Sequence, residues 1–129
     1  MPGFARPEIL FEIDMAIDLV DAAPHLRIRK CHTDTKYKAE QKLGTKFCKA
    51  VRAGNRIYLR GQTGTSLDGE FVGPGDAFAQ ADQAMKNNKT LLEEAGGSIN
   101  DICRITTYTG HRHHRDEVYQ PTGRHLKGV

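Results

Sequence analysis

The fold is decided by residues 47–60, which read FCKAVRAGNRIYLR. Two runs, Phe47–Arg52 and Arg56–Arg60, lie on either side of an Ala-Gly-Asn connection at residues 53–55, and in the second run Ile57 and Leu59 alternate with more polar side chains. Alternation with period two is typical of a strand with one buried face, and a short Gly/Asn connection is typical of a hairpin. The stretch therefore predicts a β-hairpin.

A long amphipathic helix is predicted after this hairpin. Asp76 suits the position of an N-cap, and Gly96-Gly97 is the usual signal for a helix C-terminus. Between them, apolar or small residues recur near the 3.6-residue spacing of a helix that buries one face. These are Phe78, Ala81, Ala84, Met85, Leu91, Leu92 and Ala95.

Two further stretches N-terminal to the hairpin have the pattern of strands. Ile9, Phe11 and Ile13 share one face of an alternating run, and residues 26–29 form a second, shorter one. Residues 32–46 are polar and are interpreted as a long loop.

The C-terminal third predicts one strand and one interrupted helix. Cys103–Thr109 is rich in β-branched and aromatic residues and is interpreted as a strand. A second helix begins near His111, with Val118 and Tyr119 facing inward. It is expected to end or kink near Gln120, because Pro121 and then Gly123 follow. The sum is an α+β sheet with helices on one face.

Composition limits the classes of function. The 129 residues suit a single domain, 1–129, and a net charge of +3 disfavours a nucleic-acid partner. No apolar run is long enough to span a membrane, and the first residues lack the pattern of a signal peptide. Three cysteines cannot all pair within one chain, so a reduced, cytoplasmic setting is expected.

Three clusters carry candidate chemistry. The run HRHHR at residues 111–115 could bind a metal, but its His spacing is poor for converging ligands, and a solvated cationic helix start is favoured. Cys31 and His32 with Cys48 could form a thiolate–imidazole pair, yet Cys48 is better explained as a small packed side chain. Arg60, followed by Gly61, could bind a carboxylate, or could simply be solvated.

Several blocks of the sequence resemble the Rid (YjgF) family of reactive-intermediate deaminases. Residues 51–62, VRAGNRIYLRGQ, match its hairpin core, and residues 79–87, AQADQAMKN, match its helix. Residues 91–98 (LLEEAGGS) and 101–108 (DICRITTY) continue in the family's order.

The resemblance to the Rid family extends to the N-terminal residues. Residues 1–14 resemble the strand with which Rid proteins end, whereas residues 15–129 resemble the family's N-terminal and central parts. The chain order is therefore interpreted as rearranged, like a circular permutation. About one strand's worth of family sequence is absent between Val129 and Met1, and a neighbouring chain is expected to cover that edge.

The family implies a chorismate-mutase-like fold, with a mixed β-sheet, two helices on one face and assembly into a homotrimer. It implies hydrolysis of enamines or imines derived from amino acids in clefts between subunits, without metal or organic cofactor. By position, Glu12 would hold or activate the water, and Gly61 would offer its backbone to the ligand.

Three positions depart from the family's pattern. Phe47 stands where deaminases have a tyrosine, Arg60 where they have a serine, and Asp116, beside Arg115, where they have an asparagine. Arg60 is expected to replace the family's carboxylate-binding arginine. The ligand would then be an imine or a 2-oxo acid, and the alternative function is non-catalytic binding of a small carboxylate on the same scaffold.

Overall fold

The structure is a computed structural model that describes the backbone of residues 26–28 and all of residues 48–127. In chain order its elements are strands β1 (Leu26–Ile28), β2 (Ala50–Ala53) and β3 (Arg56–Leu59), helix α1 (Ala77–Glu94), 3₁₀ turns at Ile99–Asp101 and Arg112–His114, and helix α2 (Arg115–His125). The predicted strand around residues 9–13, the loop 32–46, and the candidates Glu12, Cys31, His32 and Phe47 lie outside the described residues.

The strands form a three-stranded antiparallel sheet in the order β1-β2-β3. Ala53 pairs with Arg56, so the β2–β3 hairpin closes through Gly54 and Asn55. Gly54 has a φ of 59°, in the left-handed region that such a two-residue turn requires. The predicted hairpin is confirmed, although its strands are shorter than the alternating runs.

One face of the hairpin supplies the core. The register pairs Ala50 with Leu59 and Arg52 with Ile57, which places these four residues on the same face. Ala50 packs in a buried cluster with two residues from and just after α1, Leu91 and Ala95. Ile57, Leu59 and Leu67 pack against this cluster.

Helix α1 has the boundaries that its end signals predict. The Asp76 carboxylate accepts a hydrogen bond from the Ala79 N–H at 2.9 Å, as an N-cap does. At the other end, the Gly96 N–H donates to the Glu93 carbonyl and the Gly97 N–H to the Leu92 carbonyl, with Gly96 at φ 78°. This is a Schellman motif, which satisfies carbonyls that a helix end leaves without partners.

Arg52 connects the end of α1 to the hairpin. Its Nη1 donates to the Ala95 carbonyl and its Nε to the Gly54 carbonyl, both at 3.1 Å. A cation at this end also complements the helix dipole. The chain after α1 lies close to the hairpin. A Cβ at Gly96 would lie 2.7 Å from Arg52 Nη1, and one at Gly97 would lie 2.7 Å from Ile57 Cδ1.

The sequence predicts that the second helix ends or kinks near Gln120, and helix α2 does not end there. It continues through Pro121 and Gly123 to His125. Pro121 is fully buried, and the Thr122 hydroxyl donates to the Val118 carbonyl at 2.8 Å. Packing of α2 against α1 thus offsets the backbone hydrogen bond that proline cannot make.

The predicted inward orientation of α2 is correct in part. Val118 is partly buried, but Tyr119 is 58% exposed, so its predicted burial is wrong. The residues that α2 buries are Pro121 and Thr122. Pro121 lacks the N–H that a helix interior uses, but its ring contributes buried apolar surface to α2.

The predicted strand at residues 103–109 is not formed. This stretch has no regular secondary structure, and its residues are exposed, with Ile105 at 42% and Tyr108 at 84%. Strand propensity mostly reflects packing against cross-strand neighbours. The structure provides no such neighbour for residues 103–109 within its described ranges, so propensity alone does not make a strand.

A polar cluster joins the two helices. The Asp82 carboxylate lies 2.8 Å from His125 Nε2 and 2.7 Å from Lys86 Nζ. The hydrogen bond from Lys86, followed by that from His125, holds the pKa of Asp82 below its ordinary value of 3.8. The described part of the chain is thus an α+β arrangement in which α1 contacts the sheet through β3, and α2 packs on α1.

Neither helix in the described ranges has the length and apolar character that crossing a membrane requires.

Candidate functional site

Arg60 lies where β3 gives way to a loop. Its backbone N–H donates to the Lys49 carbonyl at 2.9 Å, which continues the hairpin ladder one residue beyond the strand. Its carbonyl accepts a hydrogen bond from Gln62 Nε2 at 2.7 Å. The residue is exposed, as a side chain that binds a ligand from solution must be.

Gly61 is exposed beside Arg60, and a Cβ placed on it would meet nothing within 4 Å. Packing therefore does not explain the glycine at this position. The missing side chain leaves the backbone of residues 60–62 open to an approaching molecule. Arg60 and Gly61 together present a guanidinium and an accessible main chain at one sheet end.

The loop that follows contains a small hairpin of its own. Thr65 bridges Phe71, and the Ser66 N–H donates to the Glu70 carbonyl at 2.8 Å. The Val72 N–H donates to the Gly64 carbonyl at 2.8 Å. Residues 64–72 thus form a closed unit, named here the loop hairpin.

Amide side chains on α1 hold the loop hairpin. Gln80, Gln83 and Asn87 are spaced by three and four residues, so they share one helix face. Gln80 Nε2 donates to the Gly73 carbonyl and Asn87 Nδ2 to the Thr65 carbonyl, both at 2.7 Å. Gln83 Nε2 donates to Asn87 Oδ1 at 2.8 Å.

Sequence reasoning missed these amides, which connect α1 to the loop after β3. All three stand in the residue 79–87 block that carries the family resemblance, but no structural role follows from the block alone. The available signal is three amides at helical spacing on a helix whose other inward positions are apolar or small.

Arg115 and Asp116 lie in the first turn of α2. The Arg115 guanidinium is 5.7 Å from the centre of the Tyr119 ring, and Asp116 is exposed. The hydrogen bonds and ion pairs of the described residues do not link Asp116 to the loop after β3. The structure thus places two pairs of candidates, Arg60–Gly61 and Arg115–Asp116, on separate elements.

The histidines before α2 lie against one another. The His111 and His113 rings are stacked at 5.3 Å between centroids, and the His113 and His114 rings are 4.0 Å apart. His114 Nδ1 lies 2.8 Å from Glu117 Oε2. No group of three or more His, Cys, Asp or Glu side chains within the described ranges could hold a metal ion.

Two cysteines, Cys48 and Cys103, lie within the described residues. Cys48 is partly buried and lies two residues before β2, rather than on the strand as predicted. Cys103 is exposed in the stretch before α2. The thiolate–imidazole alternative needs Cys31 and His32, which fall outside the described residues.

Residues 39–128 match the family model described as Endoribonuclease L-PSP, which is the YjgF/Rid family. This match covers more than half of the chain. The chain belongs to the Rid family.

Rid relatives with assigned names give the match a functional context. The chain is 34% identical over 71 residues to a RutC family protein of Pyrococcus abyssi, a match that covers 55% of each chain. It is 30% identical over 70 residues to the 2-iminobutanoate/2-iminopropanoate deaminase of Dermatophagoides farinae, which covers 54% of each chain. It is 33% identical over 79 residues to the enzyme of that name in Mus musculus, which covers 61% of this chain and 56% of the mouse protein. The chain thus spans about half the length of the curated relatives it matches.

The Rid match divides the candidate residues into two groups. Phe47, Arg60, Gly61, Arg115 and Asp116 lie inside residues 39–128, whereas Glu12 lies outside them. The assignment of Glu12 and the rearranged chain order therefore remain predictions that rest on the resemblance of residues 1–14.

Proposed function

We propose that this Rid protein hydrolyses 2-imino acids to 2-oxo acids and ammonia. The observation that carries the proposal is the family match over residues 39–128, because it includes an exposed arginine and an open glycine at the end of β3. Two relatives are named 2-iminobutanoate/2-iminopropanoate deaminase, which supports this substrate class.

The reaction defines what the site must supply. Water adds to the imine carbon, a carbon–oxygen bond forms, and the electrons of the C=N bond move to nitrogen, which takes up a proton. The tetrahedral adduct then loses ammonia as the C=O bond forms. A cation must hold the substrate carboxylate, and a general base must accept a proton from the water. In this proposal no metal ion or organic cofactor takes part.

Arg60 is the proposed carboxylate-binding residue. A guanidinium can donate two parallel hydrogen bonds to a carboxylate, which fixes the orientation of the substrate as well as its position. Gly61 would allow the substrate to reach the main chain beside Arg60, since no side chain blocks that approach.

Glu12 is the proposed base, carried over from the family's final strand. A carboxylate within hydrogen-bond reach of the water would orient it and accept its proton. Phe47, Arg115 and Asp116 are the remaining proposed substrate-binding residues. Phe47 would supply an apolar wall where deaminases have a tyrosine, while Arg115 and Asp116 would contact the ligand from α2.

The proposed assembly is the homotrimer of the Rid family, with a chorismate-mutase-like fold and ligand clefts between subunits. Residues 1–129 form one domain in this proposal, with residues 1–14 as the closing strand of the sheet. The proposed location is the cytoplasm. The mass of the protein in solution, measured by light scattering, tests the trimer: a monomer would contradict it.

The activity is tested with an imine made in place. An amino-acid oxidase converts 2-aminobutanoate to 2-iminobutanoate, and the initial rate of 2-oxobutanoate formation is measured while semicarbazide competes for the imine. We expect the wild-type protein to accelerate formation of free 2-oxobutanoate above the rate of spontaneous hydrolysis. An unchanged rate at all protein concentrations would contradict the deaminase proposal.

Substitution of Arg60 tests its role. Arg60→Ala is expected to lower kcat/KM by about 10- to 100-fold, which is the scale of hydrogen bonds to a charged group. Arg60→Lys keeps the charge without the paired donors, so it should fall between the two. Arg104→Ala removes an exposed arginine from residues 103–109 and is the matched control. Equal rates for Arg60→Ala and wild type would remove Arg60 from the site.

A further inference from the structure

Asn87 is a polar side chain in the interior of the protein. It is 2% exposed and lies one helical turn before the fully buried Leu91, on the same face of α1. Asparagine is a poor helix former, and a buried amide is costly unless both its donor and its acceptor are paired. Here both are paired, with Thr65 and with Gln83. Helix formation does not account for this residue, whereas its hydrogen bond to the loop does.

The contact between Asn87 and the loop consists of two linked hydrogen bonds. Gln83 donates to Asn87 Oδ1, which orients the Asn87 amide so that its Nδ2 faces the Thr65 carbonyl. The Thr65 carbonyl is 22 residues away along the chain, so this bond fixes tertiary structure rather than local structure. Hydrogen bonds in series of this kind strengthen one another in a poorly solvated interior.

The loop hairpin has two more fixed points on α1. Gln80 Nε2 donates to the Gly73 carbonyl, and Gly64 is buried against the Gln80 side chain. A Cβ at Gly64 would lie 2.6 Å from Gln80 Cγ, so only a glycine permits this approach. The chain is therefore held on α1 at Gly64, the first residue of the loop hairpin, and at Gly73, the residue directly after it.

The same loop carries the proposed substrate-binding residues at its start. Only residues 61–64 separate Arg60 from Thr65, and the Thr65 N–H donates to Thr63 Oγ1 at 3.3 Å within that stretch. On the other side, the Arg60 N–H is fixed by the Lys49 carbonyl. The chain is thus held at Arg60 by Lys49, the residue before β2, and at Thr65, four residues after Gly61, by Asn87.

We infer that Asn87, oriented by Gln83, is a positioning residue that holds Arg60 and Gly61 in the geometry that binds the substrate carboxylate. This inference rests on the proposed function for the role of Arg60, but its structural half is measured independently. The carboxylate is present in both ground state and transition state. Displacement of Arg60 therefore weakens both equally, which raises KM and leaves kcat nearly unchanged.

The main test is Asn87→Asp, which keeps the shape of the side chain but replaces the Nδ2 donor with an oxygen that repels the Thr65 carbonyl. We expect hydrogen exchange at the Ser66 and Val72 amides to become about tenfold faster relative to amides of α1, on the scale of one lost buried hydrogen bond. With 2-iminobutanoate, KM should rise about tenfold, while kcat stays within about twofold.

A second variant keeps the test valid if Asn87→Asp fails to fold. Gln83→Met has a similar length and helix propensity, and leaves the Asn87 amide in place without its orienting partner. Its effects on exchange and KM should have the same direction and be smaller. Lys89→Gln, at an exposed position of α1, is the matched control and should change neither quantity.

The double variant Arg60→Ala/Asn87→Asp separates positioning from general structure. If Asn87 acts through Arg60, Asn87→Asp should raise KM by less than about twofold once Arg60 is absent. Additive effects on KM, or unchanged exchange at Ser66 and Val72 in Asn87→Asp, would overturn the inference. Wild-type protein without deaminase activity would contradict the proposed function alone, and the exchange measurement would still decide whether Asn87 holds the loop.

Discussion

Helices α1 and α2 are held in different ways. Helix α1 has a side-chain cap at Asp76, a Schellman motif after Glu94, and a buried face that includes Leu91 in the main apolar cluster. Helix α2 lacks a side-chain cap hydrogen bond at its N-terminus and buries Pro121 and Thr122. Helix α1 is therefore stabilised by its own ends, by the sheet and by α2, whereas α2 packs mainly on α1.

The comparison between the two helices explains why the ends of α1 could be predicted from the sequence and the end of α2 could not. At each end of α1 the deciding interaction connects residues no more than five positions apart, such as Asp76 with Ala79 and Gly97 with Leu92. Interactions of that range are determined by the residue types themselves. In α2, a proline inside the helix is tolerated because a surface from another part of the chain covers it.

The largest expected effect is at the core of α1. Leu91 has no exposed surface, so Leu91→Ala should lower the free energy of unfolding by about 2–5 kcal/mol. Val118→Ala in α2 removes a partly buried side chain and should cost less than about 1.5 kcal/mol. Urea unfolding of both variants measures the difference. Equal losses would contradict the unequal roles of the two helices.

A pair of glycine substitutions should have effects of opposite sign. Gly96→Ala forces alanine to a φ of 78° and places its Cβ against Arg52, so it should destabilise by about 1–3 kcal/mol. Gly123→Ala lies within α2, where a Cβ meets nothing within 4 Å, so it should stabilise by about 0.5–1 kcal/mol. Thermal unfolding followed by circular dichroism gives both signs. A destabilised Gly123→Ala would show that α2 is not regular at this residue.

The smallest expected effect concerns the polar cluster between the helices. The pKa of Asp82 is lower in the folded protein, chiefly through Lys86, so its charged form stabilises the fold above its unfolded pKa. That contribution is lost as the pH falls through the folded pKa. Asp82→Asn should therefore cost up to about 1 kcal/mol between about pH 5 and 7, and progressively less below about pH 4.

Urea unfolding at several pH values from about 3 to 7 checks this prediction. Asp68→Asn, at an exposed position in the loop hairpin, is the control for loss of a carboxylate. A difference between wild type and Asp82→Asn that stays constant through the acid range would show that the Asp82 charge does not contribute.

Only part of the candidate site can be predicted from the sequence. The hairpin pattern places Arg60 and Gly61 at the end of the second strand to within one residue, since β3 ends at Leu59 and the predicted run ends at Arg60. The roles of Gln83 and Asn87 do not follow, because the Thr65 carbonyl becomes their partner only when the loop folds back onto α1. The strand prediction for residues 103–109 is wrong for a related reason. A strand needs a neighbouring strand to pair with, and the propensity of its residues does not supply one.

The two hydrogen bonds of Arg52 have a consequence for the kinetics of folding. The hairpin and α1 can each begin to form within microseconds from neighbouring residues. The bond from Arg52 to the Ala95 carbonyl instead spans 43 residues, so it requires closure of a long loop and the finished ends of both elements. We therefore expect the hydrogen bond from Arg52 to Ala95 to form after the transition state for folding. Loss of the Arg52 side chain should then accelerate unfolding and leave the rate of folding nearly unchanged.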